Sequence, residues 1–149
     1  MIKFFVQGTP RPAGSKRGFA HKTTGKVIMM DSSGKKGKDW RGDIKHAALL
    51  AIPEDYKIMT GPVFVSVTFF MQRPKAHYRT GKNAELLKDS APHFHTNTPD
   101  ATKLWRSAED ALTGVLWIDD KQVVTVMMSK KWACRYTGKS GMTISVTGA

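Results

Sequence analysis

Between residues 62 and 71 the chain alternates with a period of two. Val63, Val65, Val67, Phe69 and Met71 fall on one side, and Phe64 and Phe70 on the other. Successive side chains of a strand point to opposite faces, so this run specifies a strand with one face against a core. Such a strand needs partners to pair with and a second layer to cover it. Residues 3–7, ending at Gly8-Thr9-Pro10, are one candidate partner. Residues 122–132 and 142–147, separated by a polar turn over 135–140, are two more. Residues 18–21 and 26–30, across Thr23-Thr24-Gly25, fit a short hairpin closed by residues 31–34.

Two segments change to a helical period. Over 38–52, Trp40, Ile44, Ala47, Ala48 and Ala51 recur at three- and four-residue spacing, Pro53 stops the run, and Arg41 and Lys45 share its polar side. Over 101–114, opened by Pro99-Asp100 and ended by Gly114, six residues share one arc: Ala101, Leu104, Trp105, Ala108, Ala111 and Leu112. That arc spans about 120° at roughly 100° per residue. Lys103, Arg106, Ser107 and Asp110 lie opposite, running round to Asp100. Residues 72–97 have no periodicity and read as a long irregular segment, of the kind that is functional or mobile. The order predicts an α+β fold, a single compact domain over 1–149 with a mixed or antiparallel sheet packed on two main helices.

No run reaches the ~18 apolar residues of a membrane span. Met1-Ile2-Lys3-Phe4-Phe5-Val6 turns polar too soon for a signal peptide. Cys134, the one cysteine, allows neither an internal disulfide nor a thiolate zinc site. The expectation is a reduced, intracellular protein with no membrane partner and no small-molecule cofactor.

Charge points to the partner. Lys and Arg number 24 against 12 Asp and Glu, a net charge of +12. An excess of this size suits a polyphosphate, whose neutralisation releases condensed counterions; a basic RNA-binding or ribosome-associated protein is the other reading of the same charge. Five of the 12 acidic residues (Asp100, Glu109, Asp110, Asp119 and Asp120) fall within 21 positions. Carboxylates repel phosphates unless a divalent cation stands between them. Each has a plain explanation alone: Asp100 as a helix N-cap, Asp119-Asp120 as a polar turn. Together they suggest more, because the apolar residues 115–118 would hold the Asp pair at the core edge and the helix would return it towards Asp100. Phosphodiester hydrolysis needs an activated water and stabilised negative charge, and Mg²⁺ on a few carboxylates supplies both. His93-x-His95 lacks a thiolate partner, which makes zinc the poorer fit.

Candidate DNA contacts are Arg11, Lys16 and Arg17 in the first loop, and Arg73, Lys75, His77, Tyr78, Arg79 and Lys82 in the irregular segment. Tyr78 and Phe94 are placed to stack on unpaired bases. Trp40, Trp105, Trp117 and Trp132 are expected in the core, His95 in a loop, and Lys130-Lys131 on the basic surface at a strand end.

The stretch His95-Thr96-Asn97-Thr98-Pro99-Asp100-Ala101-Thr102-Lys103-Leu104-Trp105-Arg106, then Asp110-Ala111-Leu112-Thr113-Gly114, then Trp117-Ile118-Asp119-Asp120-Lys121-Gln122-Val123-Val124, resembles the RusA family of endodeoxyribonucleases. That family carries Pro-Asp-x-Asp-Asn-Leu-x-Lys, then Asp-Ala-Leu, then Asp-Asp-x-Gln-Val at similar separations. Gly8-x-Pro10-x-Pro12 and the Trp40-Arg41 helix resemble its phage-type branch. The resemblance implies a RusA-like fold and a homodimer that nicks opposed strands of four-way (Holliday) DNA junctions. It implies Mg²⁺ as cofactor, with Mn²⁺ as a substitute, and the cytoplasm of a bacterial or phage-infected cell. It assigns Asp100 and Asp120 as catalytic metal ligands and Arg106, where the family has Lys, as a phosphate contact. Thr102 stands where the family has its second Asp and Lys103 where it has Asn, so Asp119 or Asp110 is the expected replacement, Asp119 foremost. Lys103 then becomes a DNA contact, and Lys121 a general acid or phosphate ligand. Pro99-Asp100 with Asp119-Asp120-Lys121 also mimics a PD-(D/E)xK nuclease, but that chemistry needs a hairpin where this chain predicts a helix. A protein that binds junctions or single strands without cutting, its metal site decayed at Thr102, is the reading from another class.

Overall fold

Pairing the alternating strand with its neighbours fixes the architecture. The computed structural model describes residues 1–14, 16–135 and 138–149. Within them the chain runs β1 (Ile2–Gln7), β2 (Lys16–Ala20), β3 (Val27–Asp31), α1 (Gly34–Ala51), β4 (Val63–Gln72), α2 (Ala101–Leu112), β5 (Val123–Ala133) and β6 (Gly141–Gly148). Four strands form one sheet in the order β1-β6-β4-β5, and β2 and β3 form a separate antiparallel hairpin. β6 runs antiparallel to both β1 and β4, while β5 runs parallel to β4. The sheet is therefore mixed, and this is a single α+β domain, as the order of periodic segments predicts. Among the described residues no helix is long and apolar enough to cross a membrane.

Both helices cover one face of the sheet. Val63, Val65, Val67, Phe69 and Met71 of β4 are buried in one cluster with Trp40, Ile44 and Ala48 of α1 and Leu104, Trp105, Ala108 and Leu112 of α2. Met142, Ile144 and Val146 of β6 complete it. Each fully buried aliphatic or aromatic side chain here contributes about 1.5–3 kcal/mol. Ser107, expected on the polar side of α2, is fully buried, and its hydroxyl lacks a hydrogen-bond partner. The buried stripe of α2 is thus wider than its apolar residues, because both the sheet and α1 press on it.

A parallel pair cannot be closed by a tight turn, so the chain between β4 and β5 makes a long crossover. α2 forms its middle. Its first half, residues 73–100, is irregular apart from 3-10 turns at Lys75–His77 and Gly81–Asn83. Tyr78 in this stretch is buried, and its hydroxyl accepts a hydrogen bond from the Arg135 backbone N–H (2.9 Å). It braces the loop and is not offered to bases. Trp132, expected in the core with the other tryptophans, is only half-buried and meets the rings of His77 and His95 instead.

The return half of the crossover is pinned by Gln122. Its Nε2 donates to the carbonyls of Met59 and Gly61 (both 2.9 Å), just before β4. Its Oε1 accepts from the backbone N–H groups of Ile118 (2.9 Å) and Asp119 (2.8 Å). One amide thereby ties the Asp119-Asp120 turn to the start of the central strand. Replacing Gln122 with Leu leaves two donors and two acceptors without partners. It should lower stability by about 2 kcal/mol or more, and amide exchange at Ile118 and Asp119 should quicken while the exchange of β6 amides follows only the global change. Unchanged exchange at both positions would show that the turn is held by other means.

Candidate metal centre and nucleic-acid interface

Asp100 is the N-cap residue of α2, with extended backbone (φ −67°, ψ 143°), yet its side chain makes no capping hydrogen bond. The preceding Thr98–Pro99 peptide is cis. The carboxylate lies 3.4 Å from Lys103 Nζ, one turn along, and is 59% exposed. An exposed ion pair of this kind is worth little to stability, so the group is open to a ligand. Thr102, the position that departs from the RusA pattern, is exposed beside it.

Asp119 and Asp120 are used differently. Asp119 caps a 3-10 turn, Asp120–Gln122, in a capping box with Gln122. Its Oδ1 accepts from the Lys121 N–H (3.1 Å) and its Oδ2 pairs with Lys121 Nζ (3.1 Å). The Lys121 N–H, and then the Lys121 ammonium, hold the Asp119 pKa below its usual value. Asp119 is a structural cap, and Lys121 is its counter-ion. Asp120 has a different neighbour. Glu109, on the last turn and a half of α2, has its pKa raised by burial first, then by the nearby charges of Asp120 and Asp110. Trp105 and Arg106 act on Glu109 in the opposite direction and more weakly.

Asp100 opens α2, while Glu109, whose carboxyl feels the Asp120 charge, lies near its other end. Nine residues separate Asp100 from Glu109, about 13 Å at ~1.5 Å per residue. Among the described residues no three His, Cys, Asp or Glu side chains converge as a ready-made metal site. Mg²⁺ commonly takes only one or two carboxylates, filling its shell with water and substrate oxygen. Crowded Glu109 and Asp120, with their mutual repulsion, match that requirement in donor chemistry. Sequence reasoning passes over Glu109 as a site residue, although it lies within the acidic cluster. Its place nine residues beyond Asp100, at the end of α2 from which the chain turns back to Asp120, is the signal that could have found it.

The candidate DNA contacts divide by what holds them. Lys103 and Arg11 line a pocket of about 350 Å³ with Lys36, Ser32 and Ser33, and the Ala13 N–H donates to the Lys103 carbonyl (2.9 Å). Arg106 and Lys75 are exposed. Arg79 braces its own loop, donating to the Leu87 carbonyl (3.2 Å) and pairing with Asp89 (3.0 Å). Lys16 and Arg17 lie on β2, and their side chains are outside the described residues. Arg73 is buried, donates to the Pro92 carbonyl (3.0 Å), and sits 5.2 Å over the Trp132 ring. His95 is buried against Trp132 as well, its ring 4.2 Å away. Burial, and then the Lys130 charge, lower its pKa. Lys130 is half-buried, donating to the carbonyls of Asn97 (2.6 Å) and Pro99 (2.7 Å). Phe94 alone of the two proposed stacking residues is open, at 80% exposure.

The chain is 33% identical over 129 residues to the uncharacterized protein YqaN of Bacillus subtilis strain 168, an alignment covering 87% of this chain and 86% of that one. A family model described as endodeoxyribonuclease RusA matches residues 8–147, taking in the Pro99-Asp100 and Asp119-Asp120 motifs and all of the main sheet except β1 and the last residue of β6. With the match running through nearly the whole fold, the chain belongs to the RusA endodeoxyribonuclease family.

Proposed function

We propose that this protein is a Mg²⁺-dependent endonuclease that resolves four-way or otherwise branched DNA junctions by phosphodiester hydrolysis. The observation that carries the proposal is the endodeoxyribonuclease RusA family match over residues 8–147 in a chain of net charge +12, with Glu109, Asp120 and Asp110 near enough to one another to interact. A basic surface gathers the phosphates, and clustered carboxylates beside it make sense when a divalent cation is to be held among them. Asp120, Glu109 and Asp100 would hold Mg²⁺, or Mn²⁺ in its place. Bound there, the cation would supply an activated water and charge stabilisation for the leaving strand. Arg106, exposed on the same helix, and Lys103 beside Asp100 serve as phosphate contacts.

The family resemblance implies a homodimer, and the placement of the acids gives that dimer a purpose. A two-fold axis beside the middle of α2 would bring Asp100 of one copy towards Glu109 and Asp120 of its partner, since Asp100 opens the helix and Glu109, which feels the Asp120 charge, lies near its other end. Two such sites, related by symmetry, suit the nicking of opposed strands. Non-catalytic junction binding is the second reading, favoured by Thr102 at the family's Asp position.

Three outcomes test this. The protein should nick a synthetic four-way junction in Mg²⁺, and Asp100→Asn or Asp120→Asn should each slow nicking about a hundredfold or more, several kcal/mol of lost transition-state stabilisation, with binding retained. Undiminished nicking in both variants defeats the site; tight binding with no nicking by the unaltered protein in Mg²⁺ or Mn²⁺ establishes the second reading. Mixing the two inactive variants should restore nicking if sites are shared between copies, because a mixed dimer regains one intact site; no recovery after subunit exchange places each site within one copy. The third outcome is a pH dependence. The folded protein binds the Glu109 proton more tightly than the unfolded chain does. The stability from Glu109 is therefore present below its ordinary pKa and is lost as pH rises through the raised value. Without divalent cation, Glu109→Gln should have a higher urea midpoint than the unaltered protein at pH 7 and an equal one near pH 4. A midpoint difference independent of pH would remove the charge crowding from the account.

A further inference from the structure

We propose that the pocket between residues 92–94 and the second half of β5 seats one backbone phosphate of the DNA strand that passes Asp100, an inference that rests on the DNA-binding reading above. The pocket holds about 410 Å³ and is lined by Arg73, His93, Ser129, Lys130, Lys131 and Trp132, with Phe94 at its rim. No carboxylate lines it.

The floor is a buried cation with spare donors. Arg73 is only 7% exposed, and it forms no ion pair with any described residue. A guanidinium has five N–H donors, and Pro92 takes one of them. Removing such a group from water without a counter-ion is costly, and the cation–π contact with Trp132 offsets only part of that cost. One further buried donor beside it lacks a hydrogen-bond partner, the Nε1 of Trp132, whose ring also lines the pocket. An oxyanion is the ligand that answers to this set, since it accepts several hydrogen bonds and carries the missing charge.

The walls connect the pocket to Asp100. The Lys130 ammonium is fixed by the carbonyls of Asn97 and Pro99, the latter immediately before Asp100 in the chain. Lys131 is exposed on the open side, where a strand would enter, and exposed Phe94 stands at the same mouth. A free inorganic anion would need neither the open approach nor the aromatic rim. A polynucleotide uses both, with a base against the ring and its phosphate on the cations.

The test is binding of a labelled four-way junction without divalent cation, with single uncharged methylphosphonates walked along one strand. One position should weaken binding about tenfold or more, the range for hydrogen bonds to a charged group. At that position the same replacement should cost Arg73→Gln and Lys131→Ala little more. Lys131 is exposed, so its variant keeps the fold even where Arg73→Gln disturbs the loop. Each variant should also show a salt slope shallower by about 0.9, one phosphate's share. If the junction binds but every methylphosphonate acts equally on the variants and the unaltered protein, the pocket proposal is overturned while the DNA reading stands. It is overturned equally if inorganic phosphate binds the pocket in competition with no strand position. Failure of the unaltered protein to bind junctions at all removes both.

Discussion

The fold turns on the Gln122 amide, which closes the crossover between β4 and β5. A parallel pair at the edge of a mixed sheet must bring a distant segment back to the start of its partner strand. Here the return is fixed by two hydrogen bonds to the carbonyls before β4 and two from the turn that carries Asp119 and Asp120. Met59 adds a second tie, its N–H donating to the Leu116 carbonyl (3.0 Å). Trp117 fills the space between, fully buried, its Nε1 donating to Thr113 (3.0 Å). The position of Asp120 is therefore set by packing and hydrogen bonding that involve no catalytic group. The Gln of the family's Asp-Asp-x-Gln-Val pattern, which looks like part of the chemistry, is here part of the frame.

Strand and helix positions were legible because burial on one face leaves a period in the sequence. Val63 to Met71 and Trp40 to Ala51 show it plainly, and the sheet and helices follow. Polar residues in the interior leave no such trace. Ser107, Tyr78, Arg73 and His95 are buried because distant segments close over them, and no local rule marks them out. Tyr78 shows this well: its burial depends on the backbone of Arg135, 57 residues away. Motif spacing located the acidic residues but not their geometry. It puts Asp100 at the start of one helix and Asp120 beyond its end, and says nothing of Glu109, the helix residue that feels the Asp120 charge.

The loss of an Asp at Thr102 looks different once Glu109 is considered. The sequence suggests that a neighbouring carboxylate makes up the deficit, and Asp119 is the obvious candidate by position. Asp119 is already occupied as the cap of the 120–122 turn and by its pairing with Lys121. Glu109 caps no turn; it takes a hydrogen bond from Trp105 and bears the repulsion of Asp120. A cap whose oxygens already meet a backbone N–H and an ammonium has fewer lone pairs to offer a cation.

The parallel strand β5 ends the sheet, and among the described residues one of its sides has no strand beside it. Its first half is Val123-Val124-Thr125-Val126-Met127-Met128, with Val124 56% and Met127 68% exposed. A run of this kind, rich in β-branched residues and free of charge, is a template for unwanted pairing between nascent chains. Ser129-Lys130-Lys131 interrupts it before it reaches full strand length. The same two lysines that face the pocket beside Asp100 thus also act as gatekeepers against aggregation. Selection on them for function and for solubility would point the same way, so replacing them with apolar residues would be penalised during synthesis even in a cell that never presents a junction.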